Sequence, residues 1–162
     1  MTSGDTIRME VRGLMLDPSS NNPIVVLRDP ESQTFLPIWI GLFEASAIQM
    51  GLETAESPRP RTHDLLASML HELGGEVIKV VVEDLREQTF YAVIHVKQNG
   101  QDLRIDARPS DAIALALRTE SPVFVSRSVL EKAQVDEGNS EEERVKRLLE
   151  ELGPEDLGKY EM

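Results

Sequence analysis

Two short segments of the sequence combine the residue types that phosphate chemistry uses. The first is Arg59-Pro60-Arg61-Thr62-His63-Asp64. Two guanidiniums sit on a proline-stiffened loop that runs into a predicted helix start, where free backbone N–H groups and the positive end of the dipole suit an anion. His63 is a candidate for proton transfer or metal ligation, and Asp64 for holding a hard cation. The second is Asp106-Ala107-Arg108-Pro109-Ser110-Asp111. It repeats the order of Arg-Pro, hydroxyl and Asp at a strand-to-helix corner. Its two acids, five residues apart, could converge on one Mg²⁺ or Mn²⁺ ion. Glu44, one turn into a helix, is a further acid of this kind. The repeated grammar predicts that both corners frame one site. Each residue also has an ordinary structural use: Thr62, Asp64, Ser110 and Asp111 are types that helix starts favour, and Glu44 suits a helix dipole. A strand histidine such as His95 is usually structural.

Composition narrows the function classes. The 162 residues carry a formal net charge of -12, which argues against simple electrostatic attraction to nucleic acid or an anionic membrane. Residues 136–162 hold 4 basic and 10 acidic residues, so this short segment supplies half of the negative excess. The absence of cysteine excludes disulfides, thiolate zinc sites and cysteine nucleophiles. No GxxxxGK[ST], HExxH or GxSxG occurs. With no apolar run of membrane-spanning length and no signal-peptide pattern, the expectation is a soluble cytoplasmic protein without a membrane partner.

The elements that must position these residues follow from periodicity. Ile7 to Leu16, Ile24 to Leu27 and Thr34 to Ile40 read as three strands of an antiparallel meander, with Pro37 marking an edge or a bulge. An edge built from Leu36, Ile38, Trp39 and Ile40 predicts coverage by a second copy. Ala45, Ile48 and Leu52 then give a helix over 42–54. A second helix starts with Thr62 as N-cap and has Leu65, Leu66, Met69, Leu70 and Leu73 as its stripe. A second meander follows over 77–83, 90–97 and 102–107. Asn99-Gly100 is a type I′ turn signal. It sets Val96 opposite Leu103 and Ile94 opposite Ile105, with Lys97 facing Asp102 and His95 facing Arg104. A third, Ala- and Leu-rich helix covers 110–118, then a short strand at 123–125 and a short helix at 127–133. The expected fold class is α+β: antiparallel β-meanders with packed helices, one compact domain over 1–135. Residues 136–162 are an acidic linker and tail. In the tail, Ser140 and Glu143 form a capping box, and Val145, Leu148, Leu149 and Leu152 a stripe that must pack on the domain, a second subunit or a protein partner.

Several of these segments together resemble one family. LPIWIGLFEASAI (36–48), RPRTHDLL (59–66), FYAVIHV (90–96) and IDARPSDAIALALR (105–118) are similar, in this order, to the bifunctional nuclease domain, over about Arg8 to Ala133. LGPEDLGKYEM at the end is similar to the close of bacterial members. The resemblance implies an α+β domain with antiparallel sheet, a homo-oligomer, and cleavage of both DNA and RNA. For the roles, chemistry suggests Glu44, Asp64, Asp106 and Asp111 as oxygen ligands to Mg²⁺ or Mn²⁺. Arg59, Arg61, Arg108 and Ser110 would hold phosphate oxygens, and His63, with the acids, would serve proton transfer. The alternative is a non-catalytic anion-binding or regulatory adaptor domain that acts through protein contacts.

Overall fold

The structure, a computed structural model, describes residues 5–135 apart from residue 55. The tail helix expected from its capping box and stripe lies outside the described residues. Within them the chain runs β1 (Thr6–Leu16), β2 (Pro23–Arg28), β3 (Phe35–Trp39), α1 (Leu42–Leu52), α2 (Thr62–Glu72), β4 (Gly75–Arg86), β5 (Thr89–Gln98), β6 (Gln101–Ala107), α3 (Pro109–Thr119), β7 (Val123–Ser126) and α4 (Arg127–Val135). The fold is α+β, as composition and pattern predict.

Both meanders form, and they belong to one seven-stranded sheet of order β3-β2-β1-β7-β4-β5-β6. The short strand β7 joins them. It pairs antiparallel with β1 and parallel with β4, through Val80 opposite Val123 and Val82 opposite Val125. This parallel pair is the one departure from the expected antiparallel pattern among the described residues. The Asn99-Gly100 turn has φ of 50° and 76°, the left-handed pair that a type I′ turn requires. The register it imposes is the expected one: Val96 faces Leu103, Ile94 faces Ile105 and His95 faces Arg104.

The helices cover the sheet face that carries Val25, Leu27, Val80, Val82 and Ile94, and these share one core with Ile48, Ile113, Leu115 and Val129. α3 is its centre. Pro109 fixes the first turn, and seven of its eleven residues are buried. Ala112, Ala114 and Ala116 let neighbours approach, as does Gly51 of α1, where an added Cβ would lie 3.0 Å from Leu117 Cβ and from an Arg118 nitrogen. The β1–β3 half also buries part of its other face: Ile24 and Val26 pack there with Met15, Phe35 and Trp39. Trp39 donates its indole N–H to Asp17 at 3.0 Å.

Two of the expected apolar segments differ in burial. Pro37 does sit on an edge strand, since β3 ends the sheet, but Leu36 and Ile38 are buried in the chain's own core. The stripe of α2, by contrast, meets the core only at Leu70. None of its residues is buried, and Leu65, Leu66, Met69 and Leu73 are all exposed, while only Ala67 and Leu70 pack against the core. The reason is position: α2 lies outside α3, against the start of β4, so it reaches the core with one edge.

Candidate functional site

Three helices begin at one cleft, and they begin alike. Each carries an acid at its third position: Glu44 in α1, Asp64 in α2 and Asp111 in α3. A carboxylate there answers the unpaired N–H groups and the positive dipole end. Gly41 precedes α1, and a side chain at that position would collide with the Glu44 carboxylate, which folds back over the helix start. In α2 the N-cap is Arg61 rather than the expected Thr62. Asp64 reaches back to accept the Arg61 backbone N–H at 2.9 Å, so the acid caps the helix and the hydroxyl does not.

The acids are then tied together by cations. Asp111 accepts Arg108 Nε at 2.8 Å on one oxygen and stands 3.0 Å from His63 Nε2 on the other. Arg108 also donates Nη1 to Glu44 at 2.9 Å, so one guanidinium joins the starts of α1 and α3. Arg118 is the deeper strap. Its side chain is 11% exposed, and it donates to Asp64 at 2.8 Å, to the Ala114 carbonyl at 2.8 Å and to the Ala47 carbonyl at 3.0 Å. One residue of α3 thus holds α1 and α2 together.

Protonation follows from these contacts. Burial opposes the charge on Asp111, but Arg108 and His63 outweigh it and hold the carboxyl below its ordinary value. The Arg61 N–H, against opposition from burial, holds Asp64 low, and Arg118 adds to this. The backbone N–H of Glu44 itself, then Arg108, lowers Glu44, while Arg108 is pushed further above an already high value. All three acids are therefore anions at neutral pH. His63 is mostly buried, its side chain 12% exposed. With Nε2 donating to the Asp111 carboxylate, a neutral ring carries its acceptor at Nδ1.

The cleft has a volume of about 350 Å³ and is lined by Phe43, Glu44, Met50, Arg61, His63, Arg108, Asp111 and Arg118, among others. A neighbouring cleft of about 480 Å³ shares Glu44 and Arg108 and takes in Ile40, Phe90 and Ser110. The Arg108–Glu44 ion pair stands between the two.

The two Arg-Pro corners thus meet, through Arg61 and His63 from one and Arg108 and Asp111 from the other. Three of the other sequence-derived residues stand apart. Asp106 is paired with Val93 on β6 between Ile105 and Ala107. Ala107 packs toward the core, so strand alternation turns Asp106 to the opposite face of the sheet, with Arg104 and Asp102. Arg59 is exposed on the loop before α2 and does not line the cleft. Ser110 is buried as the second residue of α3 and opens on the neighbouring cleft. His95 also lies on the opposite sheet face, between Lys79 and Arg104, where burial and these cations lower its pKa.

Arg118, Met50 and Phe43 are lining residues that motif reading passed over. Arg118 had a signal: it is seven residues after Asp111, two helical turns along the same face of an otherwise apolar helix. The donor set was also tested for a divalent ion. Among the described residues, no three His, Asp or Glu side chains come together as a metal site needs. Glu44 and Asp111 share one guanidinium, Asp64 is turned to Arg118, and Asp106 is on the other face. The residues present do not fit a preformed Mg²⁺ or Mn²⁺ centre.

The sequence matches the family model described as the bifunctional nuclease domain over residues 25–138. It is 36% identical over 161 residues to an uncharacterized protein of Mycobacterium tuberculosis, covering 92% of this chain and 96% of that one. It is 27% identical over 122 residues to bifunctional nuclease 2 of Oryza sativa subsp. japonica, and 24% identical over 110 residues to bifunctional nuclease 2 of Arabidopsis thaliana. These matches cover 73% and 66% of this chain, but 38% and 33% of the plant proteins. The chain belongs to the bifunctional nuclease domain family.

Proposed function

We propose that the cleft at the starts of α1, α2 and α3 binds a phosphodiester of DNA or RNA and hydrolyses it. The observation that carries this reading is the His63–Asp111 pair held beside Arg108 in an open cleft. Arg108, 62% exposed, and Arg61 hold the non-bridging oxygens, and the helix starts add their N–H dipoles. Asp111 orients the His63 ring, and Nδ1 takes the proton of the attacking water as its oxygen bonds to phosphorus; the P–O ester bond breaks, and the departing oxygen takes a proton from solvent water. Arg118 touches no substrate in this scheme; it positions Asp64 and the first turn of α2. The family and the names of the plant relatives support a nucleic-acid substrate. The net charge of -12 is offset only locally, by the arginines of the cleft.

The test is cleavage of a labelled RNA, a labelled single DNA strand and a plasmid by the full chain, with Mg²⁺, with Mn²⁺ and with EDTA. His63→Gln is expected to lower the rate about 10²- to 10⁴-fold, the usual worth of a general base. Arg108→Gln is expected to weaken substrate binding. The EDTA arm decides whether a divalent ion accompanies the substrate.

A second reading is favoured by one observation: every acid in the cleft already has a structural partner. On that reading the cleft is a receptor for an anion, without hydrolysis, in a regulatory adaptor. Binding that depends on Arg108 but is indifferent to His63→Gln, with no cleavage under any ion, would establish it. We also propose self-association, through the exposed face of α2 rather than the β3 edge.

A further inference from the structure

We propose that Phe43 is a stacking platform for an unpaired nucleobase, so that the cleft selects single-stranded nucleic acid over duplex; this rests on the phosphodiester reading above. Phe43 is 85% exposed, more than any other large apolar residue among those described. Aromatic and arginine side chains are enriched among the residues that carry binding energy. Here the surroundings are those of the cleft: Phe43 lines it together with Arg61, Arg108 and His63. Its place on α1 explains why the ring faces outward. Ala45 and Ile48 carry the buried side of α1, and Phe43, two residues before Ala45, falls on the other side.

A nucleotide offers what this arrangement lacks on each side. Its base has two flat apolar faces and its phosphate is anionic, so one unit can place a base on Phe43 and a phosphate on Arg108. Every base has a π-face, so such a platform is tolerant of sequence. In a duplex both faces of each internal base are already stacked, and the ring gains no contact there. The cleft is open, which lets a strand pass across it. A protein partner fits less well, because Arg61, His63 and Arg108 line the same cleft as the ring and suit an anion.

The probe is a 5′-fluorescein strand of twelve deoxythymidines, beside a blunt hairpin duplex with the same label. Anisotropy is measured with the full chain in EDTA at low salt. Phe43→Ala is expected to weaken strand binding roughly 5- to 150-fold, the value of one base–aromatic stack, and to leave duplex binding unchanged. Phe43→Trp keeps strand affinity, and the strand quenches its added emission. Leu42→Ala, at the next position and also exposed, leaves strand affinity at the wild-type level. If Phe43→Ala binds the strand like wild type while Arg108→Gln does not, the platform is wrong and the phosphodiester reading stands. An equal loss on strand and duplex also overturns the platform. If Phe43→Ala instead turns an assembly into single chains by light scattering, the ring is a contact between copies. If the wild type binds neither probe, or Arg108→Gln changes nothing, the phosphodiester reading falls and takes this inference with it. Circular dichroism and melting of each variant show that the fold is intact.

Discussion

α2 and α3 are both eleven residues long, both follow an Arg at the N-cap, and both carry Asp at the third position. One is the centre of the core and the other has no buried residue. The same local grammar therefore serves opposite ends of the packing scale. α3 is fixed by Ile113, Leu115 and three alanines, and what it contributes to the cleft, Arg108, Asp111 and Arg118, is held by that burial. α2 contributes His63 and Arg61 from a helix supported by Leu70, Ala67 and its ties to Arg118 and Asp111. The cleft has a rigid wall and a lightly held one. A receptor that must admit a polymer gains from that division, because elements with few buried contacts open at low free-energy cost.

The largest expected effect is on the rigid wall. Ile113 is fully buried, and Ile113→Ala should cost about 3 kcal/mol in denaturant unfolding. Leu65→Ala, on α2, should cost less than about 0.5 kcal/mol in the same measurement, since Leu65 is 52% exposed. Comparable losses at the two sites would show that α2 is buried as deeply as α3 and break the comparison.

Arg118 is the tie between the walls. Arg118→Met keeps much of the side chain's bulk and removes the donors, leaving the Ala114 and Ala47 carbonyls without them. An expected loss of about 2 kcal/mol follows from the lost charge-assisted hydrogen bonds, above all the one that pairs Asp64, since both carbonyls keep their intrahelical N–H donors. Hydrogen exchange should then rise in α2 well before it rises in α3. A uniform rise in both would mean that Arg118 supports the core and not the tie.

A smaller effect concerns pH. Asp64 and Asp111 have folded pKa values below the ordinary 3.8, and Glu44 lies below its ordinary 4.5. A lowered carboxylate binds fewer protons in the folded state. Its stabilisation is complete above the ordinary value and is lost as pH falls through the lower, folded one. These three acids should therefore leave the melting temperature unchanged down to about pH 5 and lower it below about 4, on top of the earlier loss that His95, lowered in the fold from its ordinary 6.5, brings as pH falls below that value. Asp111→Asn should reduce both the plateau and the drop. An unchanged acid limb in that variant would show that the Arg108 and His63 contacts add nothing to folding.

Much of this arrangement was legible in the sequence, for identifiable reasons. The Asn99-Gly100 turn dictates its register because only left-handed backbone closes it. α3 is legible because its apolar residues need burial on nearly every side. The pairing of the two corners was legible from their shared grammar. The position of β7 between the meanders was not, since Val123–Ser126 is a short apolar strand whose partners, β1 and β4, are far apart in sequence. Asp106 was placed in the site by its nearness in sequence to Arg108, although strand alternation already put it beside Arg104. The stripe of α2 misled for a deeper reason: helical periodicity says which side is apolar, not what will cover it.

That stripe carries the last and smallest expected effect on single-chain stability. Leu65, Met69 and Leu73 are 52%, 53% and 67% exposed on one helix. A short helix without buried residues is marginal in water unless something supports it. Its ties to Arg118 and Asp111 hold the first turn only, whereas Met69 lies in the last turn and Leu73 is the C-cap. Leu70 packs on the core and Gln98 donates to the Leu73 carbonyl at 2.7 Å, so what stays uncovered is the outer face, to which, on the proposed self-association, a second copy brings a matching apolar one. Leu65→Ser/Met69→Ser should therefore reduce the mass seen by light scattering at micromolar concentration to that of one chain. It should also remove any dependence of the melting temperature on protein concentration. The unfolding free energy of the single chain should change by less than about 1 kcal/mol, because two exposed sites contribute little. A wild-type chain that is already single at these concentrations overturns self-association. It would leave α2 as a helix held by its N-terminal turn and one edge, the lightly held wall in its most extreme form.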